Sequence, residues 1–473
     1  MMLENFWNKK EKPFAGFAGY GGGAQSLVTI GASGDSFWIS EAAQGSWGSE
    51  SPQDIVADDD GNIYTTSFRN DAGGSGLIGN SIVKYEADGT MSWQKVEYRS
   101  TSGALEAKRI VAEATGDHIY ISGESNTGPY VHKINKSDGT VDWRRIFDGG
   151  SNDKADALVM ASDGNIISVI KMDSDSSKQA YFNIDESDGS DVWKTMVKRT
   201  SGDTTINNTK SHFEVDSSGN LHSIVWADTG GTPRYRSGVV KHNSSGVLQS
   251  ISDYYTSDAD EDLFGDISVD SSGNKYISYR YNTGSGYNKI GLMKVDSSDV
   301  IQWQKGVDSA SHYLTCNQVE VMPEDAGIIM SIEDRQGQGG GGDNKLSFVR
   351  FDTSGNVEWI RQFGISGIDI AASSGKMRLN KNGNIIFDTY FNDTDQYAVV
   401  AQLPSDGTLT GNHTVGSRTY EWAANTAISF TTQTAWSKYT SIYSADTNSN
   451  TNSAHSNVTL ENNVQTFTKG DVD

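Results

Sequence analysis

QDIVADDDGNIYTTSF (53–68) and, after a Gly-rich interruption, SIVKYEADGTMSWQKV (81–96) are the stretch from which the rest of the chain can be read. Each half is two short runs of alternating apolar residues around an Asp-Gly or Gly-Asn turn. Those residues tolerate the positive φ of tight turns, so each half reads as a β-hairpin. The pattern recurs along the chain. First-hairpin glycines fall at Gly61, Gly116, Gly164, Gly219, Gly273, Gly327 and Gly383. The second hairpin gives Gly34, Gly89, Gly139, Gly189, Gly246, Asp299, Gly355 and Gly407, so eight second halves face seven first halves.

A repeat of about 50 residues carrying four antiparallel strands is the mark of a β-propeller, an all-β ring that leaves few free sheet edges. The expected ring has seven blades, with eight as the alternative if residues 418–436 supply a first half for the lone hairpin at 26–40; in a seven-bladed ring that hairpin would pack on the flank. Four residues after the second-hairpin glycine stands a tryptophan in six repeats: Trp38, Trp93, Trp143, Trp193, Trp303 and Trp359. Ser250 and Gly411 break the column. An indole at a fixed place on an outer strand wedges between blades, and its burial contributes about 4–6 kcal/mol gross. Lys84, Lys133, Lys241, Lys294 and Arg350 recur on the preceding strand, where their stems can cover ring faces.

The organisation is therefore a leader over 1–25, the propeller over 26–411 and a closure or attachment segment over 412–473. The leader spaces Phe6, Trp7, Phe14, Phe17 and Tyr20 through a Lys- and Gly-rich stretch with no strand or helix period, as a segment that docks into a partner does. The end of the chain, with SADTNSNTNSAHSN (444–457) between β-prone flanks, reads as material that gains structure by pairing with the ring or with another chain.

With 61 acidic against 38 basic residues and a net charge of -23, the chain repels phosphate backbones and anionic bilayers, so no nucleic-acid partner is expected. Nothing resembles a signal peptide or a run of about 18 apolar residues, which implies synthesis in a cytoplasm and no membrane span. The single Cys316 rules out an intrachain disulfide framework and a cysteine metal cluster.

No catalytic residue, cofactor or metal ligand stands out. The turns ADDDGN (57–62) and VDSSGN (215–220, 269–274) group oxygens as calcium loops do, yet lack the spacing of an EF-hand and equally suit a hairpin turn. The histidines show no zinc spacing and the serines no GxSxG elbow. Carboxylates are plentiful, which leaves open a pair projecting into the central channel, as a glycan-cleaving centre needs. Arg234, Tyr235 and Arg236, with Tyr281 and Tyr287, are candidates for a glycan-contacting surface on the longer connections.

KYEADGTMSWQK (84–95) and KINKSDGTVDWRR (133–145) resemble the tryptophan-docking repeat of quinoprotein-like propellers. That resemblance implies the packing scheme; the enzymes of that family need a quinone pocket, and many carry a vicinal disulfide that one cysteine cannot make, so the non-catalytic scaffolds are nearer. NKKEKPFAGFAGYGGGAQSLV (8–28) looks like the start of structural proteins of marine tailed bacteriophages. It implies a non-enzymatic virion protein on the tail or particle surface, a fibre, adaptor or host-contact component. Its expected partners are other virion proteins, reached through leader and tail, and a host glycan or receptor, with many copies in one assembly. The alternatives are a polysaccharide-binding or polysaccharide-cleaving propeller and, further off, a quinoprotein-like dehydrogenase.

Overall fold

The computed structural model describes residues 25–30, 37–43, 50–70, 78–99, 105–125, 127–147, 153–171, 178–199, 206–207, 213–228, 235–256, 261–282, 289–307, 312–336, 344–370, 376–392, 396–439, 443–445, 457–458 and 464–468. Blade 1 shows the unit: Glu50–Ala57, Ile63–Asn70, Ile78–Tyr85 and Met91–Arg99 pair antiparallel in chain order, the first innermost. Blades 2 to 6 repeat it over 105–147, 154–199, 206–256, 261–307 and 312–365. Most glycines of the turns hold positive φ, 84° at Gly61 and 85° at Gly89, as the sequence pattern requires, while Gly116 of blade 2 does not.

Seven blades close the ring, and the N-terminal hairpin does not sit on its flank. Blade 7 takes its three inner strands from Lys376–Leu379, Ile385–Asn392 and Gln396–Leu403, and its fourth from Phe37–Ala43, with Trp38 opposite Gln402. The Gly411 break in the tryptophan column follows from this. After Leu403 the chain leaves blade 7 and runs to the outside of blade 6.

From there it turns backwards round the ring. Arg418–Ala424 adds a fifth strand to blade 6, Thr431–Thr432 to blade 5, Trp436–Tyr439 to blade 4, Tyr443–Ala445 to blade 3, Asn457–Val458 to blade 2 and Val464–Thr468 to blade 1. Gln25–Ile30 does the same for blade 7. Residues 418–436 are thus a belt on the outer wall and not an eighth blade. Apolar side chains of adjacent blades fill the space between them: Tyr64 and Ile82 of blade 1 pack with Leu105, Ile110 and Ile121 of blade 2.

Five of the seven seams share a dovetail. Trp38 Nε1 donates to Ala87 O at 3.0 Å, Trp93 to Lys136 O at 2.9 Å, Trp143 to Glu186 O at 3.0 Å, Trp193 to Ser244 O at 3.0 Å and Trp303 to Thr353 O at 3.2 Å. Every acceptor lies in the second-hairpin turn of the next blade. The indole lies flat on the turn glycine, so a Cβ at Gly89 would come within 2.5 Å of Trp38, and one at Gly246 within 2.5 Å of Trp193. The two exceptions in the columns belong to one seam. Ser250 holds the tryptophan position, opposite Lys241 as Trp303 is opposite Lys294, and the turn it would meet carries Asp299 at φ 64°. With no indole to accommodate, a side chain fits there, and Ser252 Oγ and Tyr254 Oη donate to Asp299 at 2.7 and 3.1 Å.

Candidate functional site

The innermost strand of every blade brings one ionic side chain to the axis: Asp54, Arg109, Asp156, Glu214, Asp266, Glu320 and Arg378. Arg109 of blade 2 senses Asp266 of blade 5, and Glu214 of blade 4 senses Arg378 of blade 7. Charges on non-adjacent blades can do so only around the centre of the ring. Bulges in the inner strands, such as those between Pro52 and Asp54 and between Phe264 and Asp266, re-aim side chains at this level.

Five carboxyls share this space with two guanidiniums. Arg378 donates to Glu320 at 2.7 Å and stands 3.7 Å from Asp54. Asp54 Oδ2 accepts from Ile110 N at 3.2 Å, and Asp266 accepts from Ile267 N at 2.9 Å and, across the seam, from Val319 N at 2.8 Å. Gln318 similarly accepts from Met377 N. The axis therefore stitches blade 1 to blade 2, blade 5 to blade 6 and blade 6 to blade 7. The excess of acid has an electrostatic outcome. Burial, and then the Glu320 charge, push Glu214 up to about 8; burial outweighs Arg378 at Glu320, which sits at about 7, and holds Asp266 at about 6. Chemically, the axis raises three carboxyls beside a guanidinium, with Glu214 the one held most strongly in its neutral form.

The aspartates of the hairpin turns do not form a comparable site. Asp58 Oδ1 accepts from Asp60 N and Asn62 N, at 3.1 and 3.0 Å, and its Oδ2 from Tyr64 Oη at 3.0 Å. Asp216 and Asp270 repeat the scheme with Asn220 and His222, and with Asn274 and Tyr276. Their oxygens are taken up by the turns themselves and by lysines such as Lys136, 3.3 Å from Asp58. Among the described residues no group of three or more His, Cys, Asp or Glu is placed to hold a metal ion.

The residues singled out for glycan contact are divided. Tyr235 stands edge-on to Trp226, ring centroids 5.2 Å apart, and Arg236 lies over Tyr255 at 4.4 Å, which in turn stacks on Tyr439 of the belt at 3.5 Å. Tyr281 is a core residue, 7% exposed, against Tyr279 and Trp436. Arg234 and Tyr287 lie outside the described residues, as do Phe6, Trp7, Phe14, Phe17 and Tyr20 of the leader. Sequence reasoning did not find the axial set. A signal existed: a charged residue five to eight positions before the first-hairpin glycine in all seven repeats. Cys316 is buried, its Sγ donating to Tyr279 O at 3.3 Å.

No protein-family model matches the chain and no curated protein matches it. Among solved structures it is similar to a quinohemoprotein alcohol dehydrogenase from Comamonas testosteroni, at 9% identity over 75% of this chain and 76% of that one, with a TM-score of 0.40. It is also similar to an ulvan lyase of polysaccharide lyase family PL25, at 9% identity over 76% of this chain and 95% of that one, with a TM-score of 0.46. Neither likeness carries an argument about activity. No helix among the described residues is long and apolar enough to cross a membrane.

Proposed function

We propose that this protein is a non-enzymatic structural component of a virion, tail-associated, that holds a rigid ring on the particle and presents the ring's longer connections to a host surface. The observation that carries this reading is the belt. An outer propeller strand of seven to nine residues is a long open edge, and open edges invite pairing between copies. On blades 1 to 5 the belt replaces that edge with strands of only two to five residues, which blunts self-pairing where many copies are held close together. The axial charges, bonded to one another and to neighbouring backbone, act as fastenings. The likeness of residues 8–28 to phage structural proteins supplies the kind of particle.

Imaging of purified particles together with quantitative mass spectrometry tests it: the protein is expected at fixed copy number on the tail or surface. Its absence from particles would overturn the reading. A second reading, a glycan-cleaving propeller, is favoured by one observation, that Glu214 and Glu320 share the axis with Arg378 and are each only half-buried. Incubation with acidic host polysaccharides separates the two, because shortened chains would appear only with cleavage and would vanish in Glu214→Gln.

A further inference from the structure

We infer that the ring has one built-in joint, the seam between blades 4 and 5, and that the belt is its clasp. Trp436 of the belt, gripped by Gln304 of blade 5, holds shut a seam that no indole of the blades themselves holds. The inference rests on contacts within the ring and is independent of the function proposed above.

Six seams have a blade tryptophan lying on the turn glycine of the next blade, and the seam from blade 4 to blade 5 has Ser250 in that place. The belt crosses here. Thr431–Thr432 pairs with the outer strand of blade 5 and Trp436–Tyr439 with that of blade 4, so the chain steps over the seam between them. Gln304 donates through Nε2 to Trp436 O at 2.8 Å and accepts at Oε1 from Trp436 N at 3.0 Å, while Gln433 N donates to Gln304 O at 2.9 Å. Held by both backbone groups, the Trp436 ring, 2% exposed, lies with Phe264 and Tyr279 of blade 5, each 5.2 Å away, in a cluster that includes Tyr254 of blade 4. Lys438 adds a charge 3.8 Å from Asp299, the side chain on the turn that meets no indole.

The seam between blades 6 and 7 shows the same substitution in part. Trp359 lies on Gly407, yet its buried Nε1 has no hydrogen-bond partner, and the bond to that turn, at Thr408 O, comes from Trp422 of the belt at 3.0 Å. At the seam between blades 5 and 6, which keeps Trp303, the belt contributes the smaller Ile428 and Phe430. Belt tryptophans thus fall at the two seams where the dovetail bond is missing. Without the clasp, the polar ties from blade 4 to blade 5 are few. They are the one parallel pairing among the described residues, Tyr235 with Glu261, a bond from Phe264 N to Ser237 Oγ, and those from Ser252 and Tyr254 to Asp299. Local opening follows the route with the fewest buried contacts to break, and an indole is the largest such contact. Parting at this seam breaks no blade indole. It opens the ring sideways between Glu214 and Asp266, on the innermost strands of blades 4 and 5.

Two thiols in one full-length chain test this. Ser252→Cys, at a position 2% exposed, places one in the seam between blades 4 and 5; the native Cys316, 4% exposed and bonded to Tyr279 O, reports the seam between blades 5 and 6. Labelling of each by a thiol reagent under native conditions is followed by peptide mass spectrometry. Adding Trp436→Ala should speed labelling of the introduced thiol at least about tenfold and leave Cys316 within about twofold, because the opening is local. Trp193→Ala, which removes the indole of the neighbouring seam, should leave the introduced thiol within about twofold. Gln304→Leu keeps the core volume and removes only the grip on Trp436, and should repeat the pattern of Trp436→Ala; if Trp436→Ala yields no soluble protein, Gln304→Leu decides by the same criteria. An unchanged rate at the introduced thiol overturns the clasp. An equal rise at both thiols, or an equal rise with Trp193→Ala, overturns the single joint.

Discussion

Glu41 and Tyr420, 379 residues apart in sequence, share a hydrogen bond of 2.6 Å that joins the N-terminal strand of blade 7 to the first belt strand on blade 6. Arg418 donates to the same carboxylate at 2.8 Å, and Glu41 is 4% exposed. Removing the carboxylate takes the anion from a largely buried guanidinium and the acceptor from a buried phenol. Glu41→Ala is expected to cost about 3–5 kcal/mol, read as a lower denaturant midpoint; a loss below about 1 kcal/mol would show that the two ends are held by strand pairing alone.

Turn position 89 tests the dovetail. Gly89→Ala introduces a side chain at φ 85° into the Trp38 ring and should destabilise the fold by about 1–3 kcal/mol. At the exceptional seam the pairing can be rebuilt: Ser250→Trp and Asp299→Gly should each destabilise alone, because the first meets a Cβ and the second removes the carboxylate 2.8 Å from the buried Lys275. A thermal double-mutant cycle should show favourable coupling of at least about 1 kcal/mol between them, and additivity would mean that the two columns are independent.

Stability should peak in a band of pH bounded by the axis on one side and histidine on the other. Glu214 and Glu320 ionise at higher pH in the fold than in the free chain, so the fold favours their neutral forms. That contribution is complete below the ordinary carboxylate range and is lost as pH rises through about 7 and about 8. Burial holds His242, against Tyr181, down at about 4, so its contribution is present above the ordinary histidine range and is lost as pH falls towards 4. Urea midpoints measured across pH should drop on the alkaline side, less steeply in Glu214→Gln; an unchanged slope in that variant would remove Glu214 from the account.

Shortening the belt should act in steps. Ending the chain after residue 456 strips the fifth strand from blades 1 and 2 only, and should leave a folded ring whose strands Met91–Arg99 and Val141–Phe147 exchange amide hydrogens faster and which self-associates more. Ending it after residue 416 also removes Tyr420, Trp422 and Trp436, buried at 0%, 0% and 2%, and should abolish soluble protein. Hydrogen exchange and size-exclusion chromatography read both; equal behaviour of the two truncations would deny the belt its graded role.

The ring was legible because its instructions are local: a glycine at positive φ and an indole at a fixed offset report the same turn in most repeats. The belt was legible only in outline, as a β-prone end that pairs with the ring or with another chain; its path was not, since pairings such as Ile146 with Val458 depend on register across more than 300 residues and on strands as short as two residues, too short for any period to show. The axis stayed hidden for another reason. Asp54 and Arg109 are ordinary polar residues within an alternating strand, and only closure of the circle turns seven outward-looking positions into one buried cluster. Tyr281 was misplaced because an aromatic next to a long connection looks exposed until Trp436 arrives from the belt to cover it.

Because Phe37–Ala43 has its partner at Gln396–Leu403, the nascent chain cannot complete its circle until Leu403 has been made. At about 5–20 residues per second the ribosome keeps the first hairpin waiting for tens of seconds, while six blades stand as an unfinished arc. Any product released early is left with a missing wedge.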